Sequence, residues 1–147
     1  MNLKAESLLR GRMFKKLVEC RCRPVCEKYG LKQIEAEVLF YMSKVPGPTT
    51  SSNICRNLMA NKGQISQTMD ALCRKGYLVS SADETDRRYI RFHLTDQAQE
   101  AVGEIRGVHE KLRDDLFSGI PEEELARFCE TTRKILANAI AMMDAEL

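Results

Sequence analysis

The fold turns on residues 51–95, SSNICRNLMANKGQISQTMDALCRKGYLVSSADETDRRYIRFHLT. A serine at 51 or 52 can cap a short helix carrying Ile54, Cys55 and Leu58, because its hydroxyl accepts from a free N–H of the first turn. ANKG reads as a turn. A second helix over about 63–75 places Ile65, Met69 and Leu72 on one stripe, and Gly76 is placed to end it. Two short helices around a tight turn form a helix-turn-helix. YLVSS then reads as a strand. YIRFHL alternates, with Ile90, Phe92 and Leu94 on one face and Tyr89, Arg91 and His93 on the other. ADETDRR, polar and turn-prone, joins the two strands. A helix-turn-helix followed directly by a charged hairpin is a winged helix.

Outward from this centre the chain is helical. Toward the N-terminus, Met13, Leu17 and Val18 recur at helical spacing over residues 3 to about 22, and Pro24 is expected to bend or end that helix. Gly30 marks a stop before a helix over about 32–44 with Ile34, Val38, Leu39 and Met42 inward. Toward the C-terminus, Ala98, Ala101, Val102, Ile105, Val108, Leu112 and Leu116 line one long helix. Pro121 opens another, with Leu125, Phe128, Ile135, Leu136, Ile140 and Met143 on its stripe. Both keep a seven-residue rhythm, and stripes of this length need a partner, most simply a second copy of the chain. The expected class is mainly α with a small β-hairpin. The expected organisation is a single domain, with dimerisation helices at 1–30 and 95–147 and the winged helix-turn-helix at 31–94.

The 147 residues suit one domain with a real core, and a composition of 44% hydrophobic and 30% charged residues suits a globular fold. No apolar run reaches membrane-spanning length and the charged N-terminus lacks a signal-peptide core, so a cytoplasmic chain with reduced thiols is expected, without membrane partners. A net charge of +2 decides little by itself. There is no phosphate-binding glycine loop, no HExxH, no nucleophile elbow and no pair of catalytic carboxylates, so no enzyme and no cofactor is expected. Glu122, Glu123 and Glu124 open a helix, where negative charge suits the dipole.

Three stretches, YGLKQIEAEVL, GQISQTMDALCRKGYL and DETDRRYIRFHLT, resemble the MarR family of bacterial winged helix-turn-helix transcription regulators, and the likeness runs over roughly residues 8–143. The resemblance implies a homodimer, most often a repressor, on double-stranded DNA with a palindromic operator. It implies the helix at 63–75 in the major groove and the wing in the minor groove. It also implies a small-molecule effector near the dimer interface, between the first helices and the start of the fifth; Met13, Leu17, Phe40 and Val102 are the candidates to line its pocket, with plain core as the alternative reading of each. The sequence departs from the family at Lys32, where a capping Thr is usual, at Thr85, where a wing Arg is common, and at Ser80 and Ser81, so this wing is less basic.

Short polar side chains near a recognition helix N-terminus come within reach of base edges. Gln64 and Gln67 are the expected base contacts; Ser52, Lys62 and Ser66 are expected at phosphates, with Asn61 and Thr68 beside them. Arg87 and Arg88 have the charge and reach for a narrow minor groove. By its place in the motif Arg88 resembles the family's structural wing arginine, tied to Asp70 or Asp86, which leaves Arg87 as the freer contact. A winged helix used only for protein contacts is the alternative, and the polar face at 61–68 with the wing arginines discriminates against it.

ECRCRPVCEKYGL, residues 19–31, adds three cysteines. Cys22 and Cys26 share a helix face and Cys20 points away, with no zinc-like spacing and no nearby His, so no metal site is expected. The first reading of the three is ordinary cysteines in or beside a helix interface; the alternative is thiol sensing by Cys22, whose neighbours Arg21 and Arg23 would lower its pKa, with Cys26 as resolving partner. Some relatives in the family sense peroxide through a cysteine in the first helix, but further upstream, where this chain has Ser7. Cys55 and Cys129 read as buried or stripe residues and Cys73 as exposed.

Overall fold

The structure, a computed structural model, describes residues 3–83, 86 and 88–146, with side chains from Gly11 to Ala145 within that range. The chain falls into two compact units, one running to Leu112 and the other from Arg113.

In the first unit α1 spans Leu3–Tyr29, α2 Gln33–Met42, α3 Ser51–Leu58 and α4 Lys62–Arg74. The strands are β1 (Leu78–Ala82) and β2 (Ile90–Leu94), and α5 is Asp96–Phe117. The glycine stops fall as expected. Gly30 has φ +62° and Gly76 φ +80°, left-handed values that a side chain strains to adopt. Past each, the following N–H reaches back over the helix end, Leu31 to the Cys26 carbonyl at 2.8 Å and Tyr77 to the Leu72 carbonyl at 3.0 Å.

Pro24 neither ends nor replaces α1; it lies inside the helix. It and Cys20, whose carbonyl loses its helical partner at this proline, are both exposed, so the break falls on the solvent side of the helix. Cys22, Val25 and Cys26 hold the opposite face in the core. The cap of α3 also comes before both serines: the Thr50 hydroxyl accepts from the Asn53 N–H at 3.3 Å. Neither Ser51 nor Ser52 is the cap.

The core is built from Val38 and Leu39 of α2, Ile54 of α3, Ile65, Met69 and Leu72 of α4, and Ala101, Val102 and Ile105 of α5. Each large aliphatic side chain buried there contributes about 1.5–3 kcal/mol. β1 and β2 pair antiparallel with Leu78 opposite Leu94, Ser80 opposite Phe92 and Ala82 opposite Ile90. These residues share the face expected to turn inward. Phe92 is buried, yet Ile90 is 56% exposed, because it lies on the open side of a cleft it lines with Asp70, Cys73 and Arg74. A one-residue bridge joins Thr49 to Phe92 on the other edge of β2.

The second unit holds the last turns of α5 and α6 (Glu122–Glu146). The apolar stripe of α6 is exposed at Phe128, Ile135, Leu136, Ile140 and Met143.

Candidate nucleic-acid interface

Helix α4 is fixed at its start by Asn61, whose side-chain oxygen accepts from the Gly63 N–H at 2.7 Å. That oxygen is engaged in capping, so Asn61 sets the first turn of α4. From there Lys62, Gln64, Ser66 and Gln67 are all exposed, while Ile65, Met69 and Leu72 anchor the opposite side in the core. Ser52, at the start of α3, is also exposed. The structure thus presents Ser52, Lys62, Gln64, Ser66 and Gln67 to solvent.

Thr68 departs from the expected set. It is 5% exposed, and its hydroxyl donates to the Gln64 carbonyl at 2.8 Å. Ile65, Thr68, Met69 and Leu72 follow the i, i+3, i+4, i+7 pattern of a buried face, so Thr68 belongs to the core side.

The wing is organised around a residue that sequence reading passed over. Asp83 is buried, pairs with Arg91, and accepts from the Asp86 N–H at 3.0 Å. Its own N–H donates to the Tyr89 carbonyl at 2.9 Å. Its place diagonally across the hairpin from Arg91, which pairs in register with Ser81, was the signal available. Arg88 ties to Asp86, not to Asp70: its Nε donates to Oδ1 and its Nη2 to Oδ2, each at 3.1 Å. The guanidinium, and then the Arg88 N–H, hold the Asp86 carboxyl below its ordinary range. The Arg88 side chain remains 89% exposed. Asp70 lies exposed on α4. Arg87 lies outside the described residues.

The thiol expectation is corrected. Cys22 is buried, and its thiol is pushed up to about 11 by that burial, then by Cys26 and Glu37. Arg21 and Arg23 are exposed on other faces of α1, so their charge does not activate the sulfur. Cys26 is raised too, first by burial and then by Glu35; its thiol donates to Gln33 Oε1 at 3.8 Å. Cys20 and Cys129 are exposed, and Cys55 and Cys73 half-buried. Among the described residues no three His, Cys, Asp or Glu side chains cluster to hold a metal ion.

The expected pocket residues also part company. Met13 is exposed, Leu17 half-buried and Val102 in the core, while Phe40 stacks on His109. The open space lies elsewhere: a cleft of about 390 Å³ is walled by Glu19 of α1, Gln33 and Glu37 of α2, Leu58 of α3 and Gln64 of α4.

Residues 31–98 match the family model described as a winged helix DNA-binding domain. The chain is a winged-helix protein of the MarR fold. It superposes on S. aureus MepR in its DNA-binding conformation with a TM-score of 0.81, at 20% identity over 92% of this chain and 98% of that one. A MarR-family transcriptional regulator from Silicibacter pomeroyi gives 0.79, at 20% identity over 91% and 89% of the two chains. The S. aureus MepR–DNA complex gives 0.59, at 19% identity over 87% and 96%. The matched model is a DNA-binding domain, and the neighbours of this fold are named as a transcriptional regulator, a protein in a DNA-binding conformation and a DNA complex. No described helix is long and apolar enough to cross a membrane.

Proposed function

We propose that the chain is a homodimeric transcription regulator, acting as a repressor on a palindromic operator. The observation that carries this is the exposed face Gln64, Ser66 and Gln67 on the first turns of a core-anchored helix. Gln64 and Gln67 read base edges, adenine above all, through paired hydrogen bonds. Ser52, Lys62 and Ser66 take phosphates. Arg88, held by Asp86 yet open to solvent, reaches the minor groove beside Arg87. Asn61 caps the helix that carries the readers.

The bare apolar row of α6 supports the homodimer, since large apolar side chains recurring along one exposed helix call for a covering partner. A small-molecule effector has room in the cleft that Gln64 helps to wall. Buried, high-pKa Cys22 favours such a ligand over thiol oxidation as the control on DNA binding.

The test is selection of fragmented genomic DNA on the reduced protein, followed by titration of enriched fragments at two salt concentrations. The expected result is a palindrome with half-sites about one helical turn apart and affinity falling steeply with salt. A folded protein that enriches nothing and shows no salt dependence would overturn the reading.

A further inference from the structure

Two hydrogen-bonded lines meet at the C-terminal end of α1. On the first, the Tyr29 hydroxyl donates to Glu104 Oε1 of α5 at 2.8 Å, and Lys28 pairs with the same oxygen. The Tyr29 carbonyl accepts in turn from the Tyr77 hydroxyl, just past α4, at 2.9 Å. On the second, Lys75, the residue that closes α4, donates through Nζ to the Gly30 carbonyl at 2.7 Å and to Glu35 Oε2 at 2.6 Å. The same Glu35 oxygen accepts from the Lys32 N–H at 2.7 Å and so caps α2.

These bonds act on the end of α4 opposite the base-reading residues. Gln64 and Lys75 are separated by about 16 Å along the helix at 1.5 Å per residue. A tilt of about 5° at the pinned end therefore moves Gln64 by about 1.4 Å, enough to break a paired hydrogen bond to a base. Glu35 is 1% exposed. A buried ion pair adds little net stability over apolar packing, but its bonds are directional. What this one specifies is an angle.

We propose that Glu35, Lys75, Tyr77 and Tyr29 are positioning residues for DNA reading, locking α4 against the end of α1 and relaying that angle to Glu104 on α5. The inference rests on the DNA-reading function proposed above. None of the four touches DNA in this role, so their loss changes discrimination without removing a phosphate contact.

The experiment uses the full chain, its selected operator and a random duplex of equal length, well below each variant's melting midpoint. Tyr77→Phe and Tyr29→Phe each delete one hydroxyl and keep the ring. Tyr77→Phe is expected to lower the preference for operator over random duplex about tenfold, the worth of one lost paired base contact. The slope of log affinity against log salt stays unchanged. Tyr29→Phe lowers the preference too, and the double variant loses less than the sum of the two, as links of one relay do. Lys75→Gln is expected to behave as Tyr77→Phe does. A salt slope reduced by about one in Lys75→Gln would make it a phosphate contact and overturn its positioning role. Strict additivity of the two tyrosine variants would overturn the relay. Lower melting midpoints with wild-type preference would make all four merely structural. A wild-type chain with no operator preference would instead overturn the DNA reading itself.

Discussion

Cys22 Sγ lies 3.9 Å from His109 Nε2, a thiol of α1 against an imidazole of α5. The imidazole stacks on Phe40 of α2 with ring centroids 3.8 Å apart and planes 7° from parallel. A cysteine beside a histidine often means an activated thiolate, but here both groups are held neutral. Burial pushes the Cys22 thiol up to about 11. Burial, and then the Lys44 ammonium, pushes His109 below its ordinary range. Three helices meet at this uncharged contact.

Alkylation should follow exposure. Under brief iodoacetamide treatment near neutral pH, Cys20 is expected to label first and Cys22 last, since thiolate and access are both required. Peptide mass spectrometry on the native chain reads the order. Early labelling of Cys22, at the rate of an unfolded control, would restore it as a sensor candidate.

Stability should fall as the solution is acidified through neutrality. His109 has a depressed folded-state pKa, so the unfolded chain binds the proton more readily. Its contribution is complete above the ordinary value of 6.5 and is lost as pH drops through that value toward the lower folded pKa. Urea unfolding at pH 8, 7, 6 and 5 should show the decline, and His109→Gln should flatten it over this window. An equally steep decline in the variant would assign the effect to other groups.

Met59 closes α3 in the left-handed region, at φ 49° and ψ 39°, with its side chain 83% exposed. A non-glycine residue there is strained by about 1–2 kcal/mol, and an exposed side chain recovers little of it by packing. Met59→Gly should therefore stabilise the fold by roughly 0.5–1 kcal/mol after the entropy glycine brings to the unfolded chain. Chemical denaturation measures the shift; a lower midpoint in the variant would contradict the account.

Neighbouring positions on α4 should behave differently. Thr68→Val removes only an inward hydroxyl whose acceptor, the Gln64 carbonyl, belongs to the same helix, so operator affinity should stay within about twofold, less than half a kcal/mol. Gln67→Ala, on the exposed face, should relax preference at one base position while leaving the salt slope alone. Binding across a panel of single-base operator variants separates the two. Equal responses would mean that the helix meets DNA on a different face.

Much of this was legible because it is local. Gly30 and Gly76 ended their helices where a left-handed residue was needed, and the alternation of YIRFHL set the faces of β2 before any register was known. Thr68 was legible too: its spacing from Ile65 and Leu72 places it inward, and only its polarity argued for solvent. The rest depended on tertiary placement. Nothing near Pro24 says that its side of α1 would face water. Glu35 and Lys75 are 40 positions apart and read as ordinary surface charges until the fold joins them. Arg21 and Arg23 flank Cys22 in sequence, yet the turn of the helix carries their charge elsewhere.

The bridge between Thr49 and Phe92 has a consequence for how the molecule behaves in a crowd. The Phe92 N–H donates to the Thr49 carbonyl at 2.8 Å, and the Thr49 N–H returns to the Phe92 carbonyl at 3.2 Å, filling the middle of the outer edge of β2. Pro48, next to Thr49, and Pro46 have no N–H with which to extend that pairing. The edge is thus shut by a single residue and cannot template another strand there. Val79, Tyr89 and Ile90 lie bare on this hairpin, so the short loop before α3, with Pro46 and Pro48, protects the β2 edge at the point where it pairs.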